Sequence, residues 1–282
     1  MISVVIPTRN RKILAAQCVR SLLAQSVTPD EILVIDNASS DGTASFLNAE
    51  FPKKLRVIRE DLEGVAAARN RGIECAKGDI LAFIDDDSTA RPDWLASIRD
   101  CLEKTGAAGA GGAALPLWER LPPAYISRSR KAMSYMSAFD PGGSRRRLTG
   151  PREFLIGTNC AFRKEVFLAG HRFHRIYSGS RRFNVGEDYE FSRRVALNYP
   201  VFYDPGIVVF HLIPAFKMSL AYLARTGFEN GRMKAAIGGV LTPRWRTDLL
   251  GIDGWISLFS SAGYCRGRLG RLTGLEKPQC HV

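Results

Sequence analysis

The sequence contains no C-x-x-C pair. Its six cysteines, Cys18, Cys75, Cys101, Cys160, Cys265 and Cys280, stand singly, which leaves a zinc ribbon or a dithiol redox motif without support. Scattered thiols of this kind fit a reducing, cytosolic setting in which most are buried. No apolar run approaches the roughly 20 residues that span a bilayer. The opening stretch MISVVIPTRNRK has too short an apolar run for a secretory leader, and no basic segment precedes it. Internal repeats and low-complexity tracts are also missing. Acids are in deficit, 28 against 40 Lys and Arg, giving a net charge of +12. A chain this basic attracts anions: phosphates, nucleic acid or an anionic membrane surface.

What is present is enough apolar material for a sizeable core, 45% of 282 residues. The first hundred residues alternate in period. ISVVIPT reads as a buried strand closed by Pro7, and RKILAAQCVRSLLAQS places Leu14, Cys18 and Leu22 at helical spacing. EILVIDNASSDGT is a second strand ending in a polar turn, where Ser40 or Asp41 caps the helix GTASFLNAEF. LRVIRED, GVAAARNRGIECAKG, DILAFIDDD and PDWLASIRDCLEK continue the rhythm as strand, small-residue helix, strand and helix. Such β-α alternation predicts a mostly parallel sheet with helices on both faces, and ligands beyond the carboxyl ends of its strands. Thr8, Asn10, Asp36, Asn37 and the triplet Asp85, Asp86, Asp87 all lie just past strand ends and are expected to converge on one crevice.

After residue 105 the rhythm breaks. TGAAGAGGAALPLW suggests a short strand between loops, and residues 119–152 read as a basic mobile loop region. FLIGTNCAFRKEVFLAGH suggests strand, turn and helix, GEDYEFSRRVALN an acid-led helix, and VFYDPGIVVFHL two short apolar stretches around a Pro-Gly turn. Residues 215–282 are mostly helical by pattern. The expected organisation is a domain over 1–214, with halves 1–105 and 106–214, and a helical extension over 215–282.

Three adjacent carboxylates repel one another, and a divalent cation most simply offsets the repulsion. Mg²⁺ or Mn²⁺ takes oxygen ligands, commonly one or two carboxylates plus substrate phosphates. The alternative is a solvated acidic turn capping the next helix.

SVVIPTRNR, ILVIDNASSDGT, GVAAARNRG, LAFIDDDS, GTNCAFRKEVF, GEDYEFSRR and VVFH occur in that order over about residues 2–212. In this the sequence resembles the inverting glycosyltransferases of family 2, which have a GT-A fold. The resemblance implies a metal-dependent enzyme that moves one sugar from a nucleotide-sugar, UDP- or dTDP-linked, to a hydroxyl of a glycan or lipid-linked acceptor. It implies that Pro7, Thr8 and Asn10 line the nucleotide pocket, that Asp36 accepts from the base with Asn37 beside it, and that Arg69 and Asn70 approach the nucleotide. Asp85, Asp86 and Asp87 look like the family's D-x-D, Asp87 binding metal and Asp85 facing the ribose or the metal's water shell. His211 stands where many relatives place a metal-binding histidine, which mildly favours Mn²⁺. Asp188 is the candidate general base, and Glu187 is expected to serve the helix N-terminus or the site. Asn159 is expected to touch substrate, and Arg181 and Arg182 to clamp the diphosphate or lie on the surface.

LTPRW at 241–245 has Leu241 where the Q-x-x-R-W of processive synthases needs glutamine, so one sugar per event is expected. In the tail, Arg266, Arg268 and Arg271 lie near Trp255, Leu258, Phe259 and Tyr264, which suggests either contact with an anionic membrane surface or a helix packed on the core. The expected location is cytoplasmic, peripheral on the inner face of the membrane if the tail touches it. A non-catalytic nucleotide-sugar-binding protein on the same fold is the alternative. Nucleic-acid binding is suggested by charge alone, with no motif behind it.

Overall fold

Residues 1–150, 153–175, 186–236 and 252–272 are described by the computed structural model. The first eight elements follow the expected order. They are β1 (Ile2–Thr8), α1 (Lys12–Leu23), β2 (Glu31–Asp36), α2 (Thr43–Glu50), β3 (Arg56–Arg59), α3 (Val65–Cys75), β4 (Ile80–Phe83) and, after a three-residue strand β5 (Ser88–Ala90), α4 (Trp94–Thr105). Strands β3-β2-β1-β4 lie side by side and parallel. Their side chains alternate between two cores. Ile2, Val4, Ile6, Ile32 and Val34 pack with α1, α2 and α4. Val5, Leu33, Ile35, Leu81 and Phe83 pack with α3. A strand covered on both faces needs a continuous apolar run, which is why ISVVI and ILVI carry almost no polar residue.

The small residues of α3 are explained by its closeness to β1. A Cβ on Gly72 would lie 2.3 Å from Val5 Cγ1.

Beyond β4 the sheet continues through β6 (Gly109–Trp118), β7 (Arg146–Arg147), β8 (Cys160–Arg163) and β9 (Val201–Ile213), in the order β4-β8-β6-β9-β5, with β7 on β9; the β4–β8, β8–β6, β9–β5 and β9–β7 pairs are antiparallel. Four details differ from the sequence reading. The Gly/Ala-rich stretch is a ten-residue strand. It is poor in side chains because it is crowded: a Cβ on Gly112 would meet the Ile207 carbonyl oxygen at 1.9 Å. Residues 119–150 are not simply a loop but also hold the short helices α5 (Ala124–Ser127) and α6 (Arg130–Tyr135), the latter capped by Ser129 Oγ accepting from Ala132 N. The turn at 157–159 precedes β8 rather than following a strand, and α7 (Lys164–Leu168) comes directly after it. Finally, β9 runs unbroken through Pro205-Gly206. There Asp204 Oδ1 accepts from Gly206 N at 2.8 Å and Arg91 Nη2 donates to the Gly206 carbonyl at 2.6 Å, so side chains satisfy the step that proline would leave open.

The acid-led helix is α8 (Glu187–Asn198), whose Phe191 and Val195 join the α3-side core with Val166 and Phe167 of α7. The chain divides into two compact units. One holds residues 1–116, 139–175 and Glu187–Leu212; the other holds Leu117–Ala138 and the chain from Ile213. The segment with α5 and α6 groups with the helical unit rather than with the sheet.

That second unit is organised by α9 (Leu220–Ala236) and α10 (Ile252–Leu272). The two helices meet through glycines: a Cβ on Gly231 would lie 1.9 Å from the Ser260 carbonyl oxygen, and one on Gly263 2.0 Å from that of Phe228. Ile126, Ala132, Met136, Ile213, Met218, Leu223 and Ile256 form its core. Among the described residues no helix is long and apolar enough to cross a membrane.

Replacing Gly72 by Ala sets a helix-propensity gain of at most about 1 kcal/mol against the clash with Val5. The clash wins: urea unfolding is expected to show a loss of about 1–3 kcal/mol. In a Val5→Ala background the same change becomes neutral or stabilising, and an equal loss there contradicts this packing.

Candidate functional site

Parallel pairing brings the ends of β1, β2 and β4 together. Thr8 stands opposite Asp36 in the β1–β2 register. Asp36 Oδ1 accepts from Ser39 N, Asn10 N donates to Ser39 Oγ, and Asn10 Oδ1 accepts from Ser40 N. Asn37 is spent on the loop between β3 and α3, with Nδ2 donating to the Glu60 and Leu62 carbonyls and Oδ1 accepting from Gly64 N. Gly64, at φ +120°, has a conformation that L side chains rarely adopt. Pro7 is buried within β1, Asn10 is exposed, and Asp36 and Asn37 are buried. These residues therefore form a rim of ordered loops at the strand ends.

The acidic triplet lies beside that rim, and each member has a different partner. Asp86 is buried. It accepts from Thr8 Oγ1 at 2.7 Å and from Arg11 Nη1 at 3.1 Å. Asp87 accepts from the same Arg11 nitrogen at 3.0 Å, and its Oδ1 lies 3.3 Å from Nε2 of the buried His211. The β5–β9 pairing fixes that contact: Ser88 is in register with His211, and Leu212 N donates to the Asp87 carbonyl. His211 Nδ1 is buried with no hydrogen-bond partner.

Asp85 points the other way. Its Oδ1 accepts from Arg69 Nη2 at 2.8 Å, while Arg69 Nη1 donates to Glu187 Oε1 at 2.8 Å. Arg69 is fully buried, with its guanidinium 5.4 Å from the Phe173 ring centroid and its Nε unpaired. This guanidinium explains the glycine of GTN: a Cβ on Gly157 would lie 2.6 Å from Arg69 Nη2. Gly157 N then donates to Asp188 Oδ2 at 2.8 Å, and Tyr189 N donates to Oδ1 at 2.7 Å, so both oxygens of Asp188 are oriented by backbone. Thr158 Oγ1 accepts from Asp85 N and bonds Ser88 Oγ.

The electrostatics follow from this crowding. Burial, then Asp87, pushes the Asp86 carboxyl up to about 6, against the pull of Arg11 and Thr8. Burial and the Asp188 carboxylate raise Glu187, against the pull of Arg69. Burial works against the Arg69 charge, but Asp85 and Glu187 outweigh it and hold the guanidinium more firmly protonated. The same contest, with Asp86 and Asp87 prevailing over burial, raises Arg11.

Two sequence expectations change role. Asn159 was expected at the substrate, yet it is wholly buried: Nδ2 donates to the Ala113 and Ile207 carbonyls and Oδ1 accepts from Trp94 Nε1. It braces β6 and β9 against α4. Asn70 was expected near the nucleotide, but Nδ2 and Oδ1 both bond the Phe173 backbone. Arg69 meets the carboxylates of Asp85 and Glu187. Arg181, Arg182, the LTPRW stretch and the Arg271 side chain lie outside the described residues. Sequence reasoning missed Arg11, although a cation directly after Asn10, which meets Asp86 and Asp87, is a charge-complementarity signal for the acidic triplet.

Among the described residues no group of three or more His, Cys, Asp or Glu side chains forms a metal cage on its own. The donor set that exists, a carboxylate oxygen and an imidazole nitrogen held side by side, fits a cation that draws its other ligands from phosphate and water.

A family model described as "Glycosyl transferase family 2" matches residues 3–169. The succinoglycan biosynthesis protein ExoM of Rhizobium meliloti is 27% identical over 263 residues, covering 89% of this chain and 78% of that protein. The glucosyl-dolichyl phosphate glucuronosyltransferase of Haloferax volcanii is 26% identical over 156 residues, 54% of this chain. That match spans about half of the relative's length, 49%. In fold, the chain is similar to the mannosyltransferase PcManGT of Pyrobaculum calidifontis, solved with GDP-Man and Mn²⁺. The TM-score is 0.61 at 20% identity, over 98% of this chain and 81% of that one. It is also similar to TarS of S. aureus in complex with UDP-GlcNAc, with a TM-score of 0.60 at 18% identity, over 98% of this chain and 76% of that one.

Two outcomes follow from the geometry. Arg69→Met leaves Asp85 and Glu187 without their shared cation and is expected to cost about 3–5 kcal/mol in denaturant unfolding; a loss below about 1 kcal/mol contradicts the buried bridge. Asp86 holds its proton to about 6 in the fold against an ordinary 3.8. Rising pH therefore costs stability between about 4 and 6, and the full cost, on the order of 3 kcal/mol, stands above that window. Asp86→Asn is expected to raise the melting temperature of the ligand-free protein near neutral pH and to change it little near about pH 4.5, where the native carboxyl is already protonated. An equal gain at both values contradicts the assignment.

Proposed function

The chain belongs to glycosyl transferase family 2, and from that premise we propose that it is an inverting, metal-dependent, non-processive hexosyltransferase. It moves one sugar from a UDP- or dTDP-linked donor to a hydroxyl of a glycan or lipid-linked acceptor. The observation that carries the metal-dependent reading is the Asp87–His211 pair, a carboxylate and an imidazole held 3.3 Å apart at the end of the parallel sheet. It lies in a cluster of five carboxylates, Asp85, Asp86, Asp87, Glu187 and Asp188, into which the guanidiniums of Arg11 and Arg69 reach. Adjacent carboxylates beside an imidazole favour a dication, Mn²⁺ over Mg²⁺ given the imidazole, with Asp87 and His211 as its protein ligands. When bound there, such a cation supplies charge stabilisation to the departing diphosphate.

The chain's own residues do the rest. Pro7, Thr8, Asn10, Asp36 and Asn37 border the donor nucleoside at the β1 and β2 ends, Asp36 accepting from the base N–H. Asp188 accepts the proton of the acceptor hydroxyl as its oxygen bonds the anomeric carbon and the bond to the diphosphate oxygen breaks. One displacement from the face opposite the leaving group inverts the configuration. The backbone donors of Gly157 and Tyr189 hold Asp188 in one orientation for that transfer. Arg69 positions the two halves of the site by tying Asp85 to Glu187. Arg11, freed from Asp86 and Asp87, is within the same cluster to meet the diphosphate. A position at an anionic membrane surface on the cytoplasmic side brings a lipid-linked acceptor within reach.

UDP or dTDP is expected to raise the melting temperature only when Mn²⁺ or Mg²⁺ is present. A response independent of metal, or none with any nucleotide, contradicts the donor site. Asp188→Asn should keep that metal-dependent response while transfer, or slow donor hydrolysis read as released nucleoside diphosphate, falls by about 10²–10⁴. Undiminished turnover removes Asp188 as the base.

A further inference from the structure

Five of the chain's exposed large apolar side chains fall in two short segments of the helical unit: Leu117, Leu121 and Tyr125 in one, Phe216 and Leu220 in the other. Leu121 is 91% exposed and Phe216 63%. The segments are joined. Glu119 N donates to the Ile213 carbonyl, Ala215 N to Glu119 Oε2 at 2.7 Å, and Tyr125 Oη to the Met218 carbonyl at 3.2 Å. Behind them Ile126, Met218 and Leu223 are buried in the unit's core. The patch is therefore backed by a completed core and is not an unfilled part of it. Apolar side chains gathered on a built surface mark a contact with something else.

The charge around the patch selects the occupant. Residues 117–131 carry Arg120, Arg128, Arg130 and Lys131 against Glu119, and residues 215–225 carry Lys217 and Arg225 with no acid. These 26 residues thus hold a net charge of +5 of the chain's +12. Arg120, Arg128, Arg130 and Arg225 are exposed. A second copy of this chain would bring two such patches face to face in an isologous contact and would be repelled. A free nucleotide would leave the leucines and the phenylalanine unburied. Apolar side chains flanked by arginines match the interface of an anionic lipid bilayer, where the first enter the acyl boundary and the second stay among the headgroups.

We propose that the segments around Leu121 and Phe216 form a docking surface for an anionic lipid bilayer. This places membrane contact on a different surface from the one expected in the tail. In α10, Ile256 and Ser260 are buried, and Gly263 lies against α9, leaving Leu258 as the exposed large apolar side chain of that helix's described residues. The proposal rests on the membrane-side acceptor reading for its purpose, though not for its evidence.

The test is sedimentation of the full chain with vesicles of phosphatidylcholine alone or mixed with phosphatidylglycerol. The native protein is expected to bind the mixed vesicles and to release with salt, each basic residue near the surface contributing roughly fivefold. Leu121→Glu/Phe216→Glu and Arg120→Glu/Arg128→Glu should each weaken binding at least tenfold, with unchanged melting curves. Leu197→Glu, at an equally exposed leucine of the other unit, is the control and should bind as the native protein does. Three results overturn the proposal: no preference for anionic vesicles, the patch variants binding no worse than the control, or a change confined to self-association with vesicle binding intact. Donor hydrolysis in the same preparations reports on the transferase reading separately. Hydrolysis retained without vesicle binding removes only the docking surface.

Discussion

Carboxylates gathered in a partly buried place repel one another, and this fold gathers five of them. The interaction that makes this tolerable is the buried Arg69 guanidinium, which reaches from α3 to Asp85 at the end of β4 and to Glu187 at the start of α8. Removing either partner of such a bridge exposes the other to an uncompensated desolvation cost, so the bridge constrains more than it stabilises. Its demands spread outward. Gly157 is glycine because the guanidinium occupies the space of a side chain, and the backbone N–H of Gly157 in turn orients Asp188. One buried cation thus ties together the end of the parallel sheet, the turn before β8 and the helix that carries the proposed base.

Asp86 and Asp87 are balanced differently. Arg11 is about half exposed and reaches both with a single nitrogen, and His211 meets Asp87 from β9. These are contacts that a ligand can rearrange, in contrast to the sealed contact of Arg69. The site therefore combines a fixed half, built around Asp85, Glu187 and Asp188, with an adaptable half, built around Asp86, Asp87 and His211. This division suits a reaction in which a diphosphate arrives and leaves while the base holds its place.

The parallel half of the fold was legible because its strands are buried on both faces and its helices are amphipathic over three turns; both leave a periodic imprint, ended by polar residues at the site itself. The other half of the sheet left fainter traces. β6 is built of glycine and alanine because its neighbours crowd it, and those residues signal a loop when read alone. β9 passes through Pro205-Gly206 because Arg91 and Asp204, one of them more than a hundred residues away, satisfy the backbone there. α5 and α6 are too short to show a period. At the site, the acids and His211 stood out by their chemistry. Asn159 was misread because its role is set by Trp94, Ala113 and Ile207, which sequence does not bring together. The helical unit followed the expected pattern, but among the described residues most of its exposed large apolar side chains sit on the short segments, with Leu258 on α10.

The account depends most on the claim that Asp87 and His211 share a divalent cation with the donor diphosphate. Anomalous scattering at the manganese edge, from crystals grown with Mn²⁺ and a nucleotide-sugar, addresses it directly. The account predicts one strong peak within coordinating distance of an Asp87 oxygen, a His211 nitrogen and the diphosphate oxygens, with the nucleoside against the ends of β1 and β2. A bound nucleotide with no peak between Asp87 and His211, or a peak held elsewhere, would contradict it.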